Sequence, residues 1–568
     1  MDEYQIKKIV AKNGSSTLKI NNFLIHSQYN PEKDAENYIK KNYHPHHTHI
    51  MLGYGAGYFL DAFRKIRQYN ETMIIIDPLF DHQSIEIKKR HQHDFLYNSK
   101  SIPMLEFILN EIDDGVRTEY TVICASNYDK LFPIQYRDIL QKVRDLQEFN
   151  RVNDYTLIRF ADDWQKNLKL NLLHLLQDTT LKKLYQHYDS PVVIASSGPS
   201  LLKQLPLVKE YRDQLIVISA GSTTKVLLDN DITPNFIVSM DGGIANYNHF
   251  KDLRLGESRL IYSFQNHAGI RDSFTKQAFA CNVDGYIGVT EYLENLMPQI
   301  IPTIIGGATV ANFAFSIAQY ITSGPIAFIG QDLAFTNNQT HVSGHSFSGK
   351  VSIDQKNDEE YLYTDGYNGD KVLTNPSLYS MKLNFEKIIL LAPPKNQFFN
   401  CTEGGVLLKG YEQLPFKEFC HRFAQSTIKV QLQQYDSLLT LDVLKEQFQK
   451  EKEQLIQAVQ LYQLAMETIE KNKSDVYFDA KTLKKLEETD EQVKPIIDET
   501  AIGTILTPTL MKVSKCYQEQ ENETQRQKFK RVKAQNLALY EESQKACEKV
   551  LQFLDEAMDQ LQNEKSGF

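Results

Sequence analysis

Small residues at positions 196–200 (Ser-Ser-Gly-Pro-Ser) follow a short apolar run and precede a helix-like segment that begins near Leu201. Small residues let a ligand come close to the backbone, and the free N–H groups at a helix start attract phosphate. The pattern therefore predicts a nucleotide or nucleotide-sugar site, although an ordinary turn between a strand and a helix has the same composition.

Two later segments place chemically active side chains in a similar position. Asp241 is followed by two glycines, and Gln331-Asp332 is followed nine residues further on by His341. Each of these segments comes directly after an apolar run. This shared position favours a single site built from all three segments.

Five apolar runs must position these segments. Their continuous apolar character is typical of parallel strands that helices cover on both faces. Ligands of such doubly wound sheets bind beyond the carboxyl ends of the strands, which is where the three segments lie. We predict strands at residues 192–195, 215–220, 236–240, 260–264 and 326–330, within a central catalytic domain that spans residues 191–425.

Residues 1–150 predict a Rossmann-like N-terminal domain. Gly53, Gly55 and Gly57 follow one apolar run, and Asp77 ends the next, at a spacing where a carboxylate can meet a ribose. The glycine pattern is GxGxG rather than GxGxxG. We therefore expect a scaffold here, with a working nucleotide site as the alternative.

Four histidines precede this glycine turn, at positions 44, 46, 47 and 49. Imidazoles can bind zinc. The histidines have no carboxylate or cysteine close by in the sequence, and they lead straight into a strand. We interpret them as a solvated or partly packed turn rather than as a metal site.

Helical segments flank the central domain. Phe160, Trp164 and Leu168 recur every four residues, which places them on one face of linker helices over residues 151–190. Residues 426–568 have helical periodicity and predict a C-terminal α-helical bundle. That bundle is either a cap that packs on the core or a docking surface for a protein partner. The fold class is thus α/β with a helical C-terminal domain.

Composition narrows the functional classes. The net charge is −9, and no long basic run suggests a nucleic acid partner. No apolar run reaches the roughly 18 residues that span a bilayer. The six cysteines are scattered without a CxxC pair, as is typical of reduced core residues. Together with an acidic N-terminus that lacks an apolar signal region, these features predict a cytoplasmic protein with no membrane insertion.

In combination, residues 193–201, 232–241, 306–307 and 330–341 resemble the motility accessory factors. These are bacterial flagellin glycosyltransferases related to the pterin pyrophosphokinase-like domain. The glycine turn at residues 53–57 and the helix around Trp164 also resemble that family. The resemblance implies transfer of a nonulosonic acid, such as pseudaminic or legionaminic acid, from its CMP-activated form to Ser or Thr of flagellin, the implied protein partner.

A more distant resemblance is to the bacterial lipooligosaccharide sialyltransferases, whose His-x-x-Gly-His-Ser stretch matches residues 341–346. It implies a sialyltransferase-like central domain that inverts the anomeric centre and needs neither a metal nor a cofactor beyond the CMP-sugar donor. The chain departs from those enzymes in its Ser196-Ser197 turn. It also lacks their asparagine, which Gly221 or Ser222 replaces, and their tyrosine, which has no counterpart at Ala334.

The resemblance also implies roles for individual residues. His341 is expected to be the general base, because histidine titrates near neutral pH, and His345 to be secondary. Asp332 is expected to orient the loop of His341 or contact the donor, with a helix cap as the alternative. Asp241 would bond a ribose or sugar hydroxyl, with a Mg²⁺ ligand as the alternative. The expected nucleotide-sugar contacts are Ser196, Ser197, Gly198, Pro199, Ser200, Ser222, Asp241, Gly242, Gly306, Gly307 and Gln331, and Gly306-Gly307 is expected to open a helix over residues 308–320.

Two other functions fit the same pattern. One is an ATP-dependent pyrophosphokinase that uses the same scaffold with Mg²⁺. The other is a non-catalytic factor that binds flagellin and has lost turnover. The oligomeric state is left open by the sequence.

Overall fold

The chain divides into two compact units, Met1–Tyr155 and Thr156–Phe568. The computed structural model describes residues 4–68, 71–81, 94–105, 108–109, 119–285, 288–298, 300–307, 309–345, 348–350, 361–391, 396–428, 430, 433–517 and 523–563. Within those residues, no helix is both long enough and apolar enough to cross a membrane.

The first unit is a small Rossmann-like domain, as predicted. Its strands are β1 Ile6–Val10, β2 Ser16–Ile20, β3 Phe23–Leu24, β4 His47–Leu52, β5 Met73–Ile76, β6 Asp94–Tyr97 and β7 Glu119–Cys124. Strands β4 to β7 form a parallel sheet in the order β6-β5-β4-β7, and β1 to β3 form an antiparallel sheet. The helices are α1 Pro31–Asn42, α2 Tyr58–Ile66 and α3 Tyr128–Leu131, followed by α4 Pro133–His174, which begins well before the expected residue 151.

The second unit is built on one wide parallel sheet. Its strands are β8 Thr179–Thr180, β9 Val192–Ala195, β10 Ile216–Ala220, β11 Phe236–Ser239, β12 Arg259–Ser263, β13 Phe279–Val283, β14 Thr303–Ile304, β15 Ile326–Ile329, β18 Phe398–Asn400 and β19 Glu412–Gln413. They run in the order β14-β13-β12-β11-β10-β9-β15-β18-β19, with β8 beside β13. A separate antiparallel hairpin joins β16 Leu362–Asp365 to β17 Lys371–Thr374.

The strand order creates a switch point at β9. The chain moves outward from β9 through β10, β11, β12 and β13, and then returns to the other side of β9 as β15. In open parallel sheets, ligands bind in the crevice where the order reverses. The loops at this crevice carry residues 196–200 and residues 330–332.

Helices cover both faces of the sheet. They are α5 Leu201–Glu210, α6 Thr223–Asp229, α7 Ile244–Phe250, α8 Val289–Leu296, α9 Val310–Ile321, α10 Pro376–Leu391 and α11 Phe416–Phe423. The C-terminal helices are α12 Leu441–Glu470, α13 Ala480–Thr500, α14 Gly503–Cys516 and α15 Gln525–Asn563. Helix α9 is the one expected over residues 308–320; position 308 lies outside the described residues.

The C-terminal helices share a core with the sheet. One apolar cluster contains Leu168 of α4 and Tyr262 of β12 together with Leu444 of α12 and Val550 of α15, all of them buried. The C-terminal helices therefore pack on one face of the α/β unit and lie in the same compact unit, Thr156–Phe568; a role as a docking surface stays a prediction.

A fully buried ion pair joins this cap to helix α4. Lys169 of α4 is paired with Glu451 of α12. Tyr292 Oη of α8 donates to Glu451 Oε2 at 3.2 Å, and Lys169 Nζ also donates to Thr500 O at 3.3 Å. Burial lowers the pKa of Lys169 and raises that of Glu451, so each charge depends on the other.

Candidate functional site

The turn after β9 is held by the neighbouring strand β15. Ser196 N donates to Ile329 O at 3.0 Å, and Gly198 N donates to Gly330 O at 2.7 Å. A Cβ at Gly198 would collide with Asp332 Oδ2 and with Gly330 O. The glycine is therefore required by the protein's own β15 loop, and its contact with a nucleotide-sugar stays a prediction.

Asp332 occupies the start of α5. Its Oδ2 accepts from Ser200 N at 3.2 Å and from Ser200 Oγ at 2.7 Å, and both residues are buried. Burial raises the pKa of Asp332, while the bonds from Ser200 act in the opposite direction. The helix-cap alternative is thus realised, and Ser200 N, which we expected to attract phosphate, already donates to a carboxylate of the chain itself.

Ser196 Oγ and Gln331 Oε1, on the two sides of the crevice, are buried polar atoms with no hydrogen-bond partner among the residues that the structure describes. Gln331 is anchored through its backbone, because Gln331 N donates to Thr402 Oγ1 at 3.3 Å. Buried polar groups are nearly always hydrogen-bonded in folded proteins. Unsatisfied atoms on both sides of a topological switch point are what a polar ligand would satisfy.

The loop of the two histidines reaches the same turn. Val342 N donates to Ser197 O at 2.9 Å, so the loop is anchored directly on the segment that follows β9. The rings of His341 and His345 stack with their centroids 4.6 Å apart and an interplanar angle of 10°. His345 Nε2 is hydrogen-bonded to Ser222 Oγ at 2.8 Å. The structure thus brings four of the sequence-predicted site residues together.

His345 is held neutral in this arrangement. Burial, followed by the nearby His341 and His249, lowers its pKa to about 4. A histidine with so low a pKa is a weak proton acceptor at neutral pH. This property fits the secondary role expected for His345.

Asp241 lies after β11 on an exposed turn, and its Oδ1 accepts from Gly243 N at 2.8 Å. Gly242 faces α4: a Cβ there would come within 2.6 Å of Gln265 O and 2.8 Å of Asn167 Nδ2. Asn167 in turn donates to both Gly242 O and Gln265 O at 3.1 Å. Helix α4 therefore sets the position of this turn.

A cleft of about 370 Å³ opens beside the Asp241 turn. It lies between α4, the turns after β11 and β12, and α15. Its lining is mixed in character, with charged, apolar and backbone groups. The lining residues are Asp163, Lys166, Asn167, Leu170, Gly242, Ile244, His267, Ala268, Gly269 and Glu556.

Gly306 and Gly307 bring the start of α9 towards the site. Gly306 N donates to Asp284 Oδ1 at 2.7 Å, and Gly307 has a φ of +68°, which favours glycine. A Cβ at Gly221 would lie 3.6 Å from Val310 at the first turn of α9. The start of α9 therefore lies next to the turn that carries Ser222.

In the first unit, the glycine turn is filled by the chain itself. A Cβ at Gly53 would meet the ring of Tyr128 at 2.7 Å, and one at Gly55 would meet His26 Nε2 at 2.6 Å. Asp77 is buried and accepts from Tyr54 N at 2.8 Å and from Tyr128 Oη at 2.9 Å. These contacts favour the scaffold interpretation of the turn.

The histidine run before this turn is a packed structural element. His49 is buried, its Nε2 accepts from His44 N at 3.1 Å, and burial lowers its pKa to about 4. His47 Nδ1 is hydrogen-bonded to Thr121 Oγ1 at 2.8 Å. Across the described part of the chain, no group of three or more His, Cys, Asp or Glu side chains is arranged to hold a metal ion.

Sequence reasoning missed two residues of this region. His249 lies on α7 with its ring centroid 6.3 Å from that of His345, and Thr402 after β18 positions Gln331. No motif marks either residue. The one signal for His249 is that it lies in the helix that directly follows Asp241. The one signal for Thr402 is that it directly follows β18, a strand that we did not predict.

Comparison with known proteins agrees with this architecture. Residues 162–338 match the family model of the 6-hydroxymethylpterin diphosphokinase MptE-like proteins. An uncharacterized protein of Treponema pallidum (strain Nichols) is 23% identical over 116 residues, which are 20% of this chain and 55% of that protein. The chain therefore spans about half the length of that relative.

Among solved structures, the chain is similar to the Maf glycosyltransferase from Magnetospirillum magneticum AMB-1. The TM-score is 0.58 at 14% sequence identity, over 100% of this chain and 96% of that protein. The resemblance to the motility accessory factors is thus confirmed at the level of fold: residues 162–338 match the MptE-like model, and the chain along its whole length has a fold similar to that of the Maf glycosyltransferase from Magnetospirillum magneticum AMB-1.

Proposed function

We propose that this protein is a glycosyltransferase that moves a nonulosonic acid from a CMP-activated donor to Ser or Thr side chains of flagellin, a modification required for flagellum assembly and motility. The observation that carries the proposal is the convergence at the β9–β15 crevice. There the unsatisfied Ser196 Oγ and Gln331 Oε1 lie beside a loop that holds two stacked histidines.

The nucleotide of the donor lies over residues 196–200 in this proposal. Ser196 Oγ and Gln331 Oε1 supply hydrogen bonds to its polar edges, which relieves their burial without a partner. Asp332 acts through Ser200 and holds the turn in place, so it is a positioning residue. Asp241 is exposed and contacts a ribose or sugar hydroxyl.

His341 is the general base of the transfer. It accepts the proton of the acceptor hydroxyl while that oxygen bonds to the anomeric carbon, and the bond between the anomeric carbon and the CMP phosphate breaks with its electron pair going to the phosphate. Because attack and departure take place on opposite sides, the anomeric centre inverts. Stacking on His345 and the Val342–Ser197 hydrogen bond hold His341 in place.

The test is the intact mass of flagellin co-expressed with the protein and with enzymes that make the donor. The expected result is a mass increase equal to a whole number of nonulosonic acid residues, also in the purified system with EDTA present, since no metal is needed. Flagellin of unchanged mass, with folded transferase and donor both present, would contradict the proposal. If flagellin were nevertheless bound, the non-catalytic factor would be the better description.

A second candidate is an ATP-dependent pyrophosphokinase, favoured by the match of residues 162–338 to the 6-hydroxymethylpterin diphosphokinase MptE-like model. Calorimetry separates the two enzymes. The transferase is expected to bind CMP without metal and to prefer it to ATP with Mg²⁺. The reverse preference, accompanied by AMP formation from ATP and a hydroxymethylpterin, would select the kinase.

A further inference from the structure

Three imidazoles from two distant parts of the chain meet beyond the carboxyl ends of β10 and β11. His345 stacks on His341 with ring centroids 4.6 Å apart, and the ring centroid of His249 on α7 lies 6.3 Å from that of His345. Ser222 closes the group through its hydrogen bond to His345. The proposed transfer mechanism assigns no function to His249.

The start of α5, where a phosphate usually binds in such a fold, already holds the carboxylate of Asp332. Asp332 Oδ2 accepts from Ser200 N at the start of α5, and Gly198 N donates to Gly330 O. A phosphate at that helix start would have to lie against a buried carboxylate of the same sign. The single phosphate of a nucleoside monophosphate sugar therefore needs another partner within reach of His341.

We propose that His249, His345 and Ser222 form the phosphate subsite of the donor, with His249 as the imidazolium that faces the departing phosphate. This inference rests on the proposed transferase function and names the group that stabilises its leaving group. When the bond from the anomeric carbon to the phosphate oxygen breaks, the electron pair stays on the phosphate and His249 balances its charge. The acceptor proton goes separately to His341.

The charges around the subsite assign these roles. Burial lowers the pKa of His249, and the charge of Asp241 acts in the opposite direction. His345 is held neutral by burial and by the two neighbouring histidines, so we assign the imidazolium to His249, whose charged form Asp241 favours. A bound phosphate adds an opposite charge that raises the pKa of His249, so donor binding takes up a proton.

The test compares His249→Asn, which removes the cation, with His249→Arg, which makes it permanent. CMP binding is measured by calorimetry at pH 7.5 in two buffers of different ionisation enthalpy, which gives the number of protons taken up. The wild-type protein is expected to take up protons. The asparagine variant should bind CMP about tenfold more weakly with no uptake, and the arginine variant should retain affinity within about threefold, also without uptake. The matched control is His187→Asn. His187 is exposed and precedes β9, at the amino ends of the strands, so this variant should behave as wild type.

Histidine Cε1–H resonances give an independent readout with inorganic phosphate and with CMP. Movement of the His249 resonance by inorganic phosphate supports the subsite, even if no sugar transfer is found. If CMP binds but His249 does not respond, and if His249→Asn keeps wild-type affinity and proton uptake, the inference is overturned while the proposed function stands. A protein whose His249 responds to neither CMP nor phosphate also overturns it.

Discussion

Asp332 Oδ2 accepts hydrogen bonds from both the hydroxyl and the backbone N–H of Ser200, at 2.7 and 3.2 Å. A carboxylate from the loop after β15 thus neutralises the start of the helix that follows β9, where the N–H groups carry partial positive charge. The two loops of the crevice are thereby joined by the protein's own charge before any ligand arrives.

Asp332→Ala is expected to lower the free energy of unfolding by about 1–3 kcal/mol, because it leaves the buried Ser200 donors unpaired. Urea denaturation followed by circular dichroism measures this change. Asp229→Ala serves as the control, since Asp229 is an exposed carboxylate at the end of α6 that is paired with Lys225. Equal stability of the two variants would show that the Ser200 contact contributes nothing.

Ser196→Ala is expected to weaken CMP binding about fivefold, which corresponds to one hydrogen bond of about 1 kcal/mol. Its melting temperature should not change, because Ser196 Oγ has no hydrogen-bond partner in the described part of the chain. Calorimetry with CMP and a thermal melt provide the two readings. Gly198→Val is unsuitable for this purpose, because any Cβ there collides with Asp332 and Gly330 and would disturb the fold itself.

His341→Ala is expected to reduce the rate of sugar transfer by about 10²–10⁴, the usual contribution of a positioned base, while CMP affinity stays nearly constant. His345→Ala should cost less, since His345 acts by stacking and by its bond to Ser222. Single-turnover transfer to flagellin measures both. A wild-type rate for His341→Ala together with a large loss for His345→Ala would reverse the two roles.

Stability is expected to fall as the pH drops from about 6.5 to about 4. The pKa of His345, His26 and His49 is lowered from 6.5 to about 4 in the folded chain. Between these values the unfolded state binds more protons, so their stabilising contribution is complete above pH 6.5 and is lost towards pH 4. Urea midpoints measured over this range should fall less steeply for His345→Gln than for wild type, and an identical slope would contradict the assignment.

Lys169→Met alone is expected to cost about 3–5 kcal/mol of unfolding free energy, because the buried Glu451 loses its opposite charge although Tyr292 still donates a hydrogen bond to it. The double variant Lys169→Met/Glu451→Met should recover most of that loss, since no charge is then buried. Lys166→Met is the surface counterpart: its ion pair with Glu556 is about 40% exposed and is worth at most about 1 kcal/mol. Equal effects at Lys169 and Lys166 would refute the distinction.

Apolar runs of three or more residues were enough to predict the centre of the sheet. The predicted strands at residues 192–195, 215–220, 236–240, 260–264 and 326–330 agree with β9, β10, β11, β12 and β15 to within one residue at each end. Strands β8, β14 and β19 have two residues each and therefore lack that pattern, whereas β13 was missed although it begins with three apolar residues. Their pairing depends on neighbours far away in the sequence.

Side-chain pairing at the site was much less predictable. Sequence position indicated correctly that Ser222, His341 and His345 lie near the turn at residues 196–200. It could not show that Asp332 occupies the helix start, because that contact joins residues 132 positions apart. His249 was missed for the same reason, since only the fold brings α7 beside the loop of His345.

The apolar cluster shared by the sheet and the C-terminal helices has a consequence for biosynthesis. A ribosome completes β12 and α8 well before it makes α12 to α15, so a face of the α/β unit that includes Tyr262 stays uncovered during the last part of translation. Exposed apolar surface of this kind promotes aggregation and recruits chaperones. A nascent chain released near residue 425 is therefore expected to be insoluble, and a premature stop there should remove the whole α/β unit rather than only its cap.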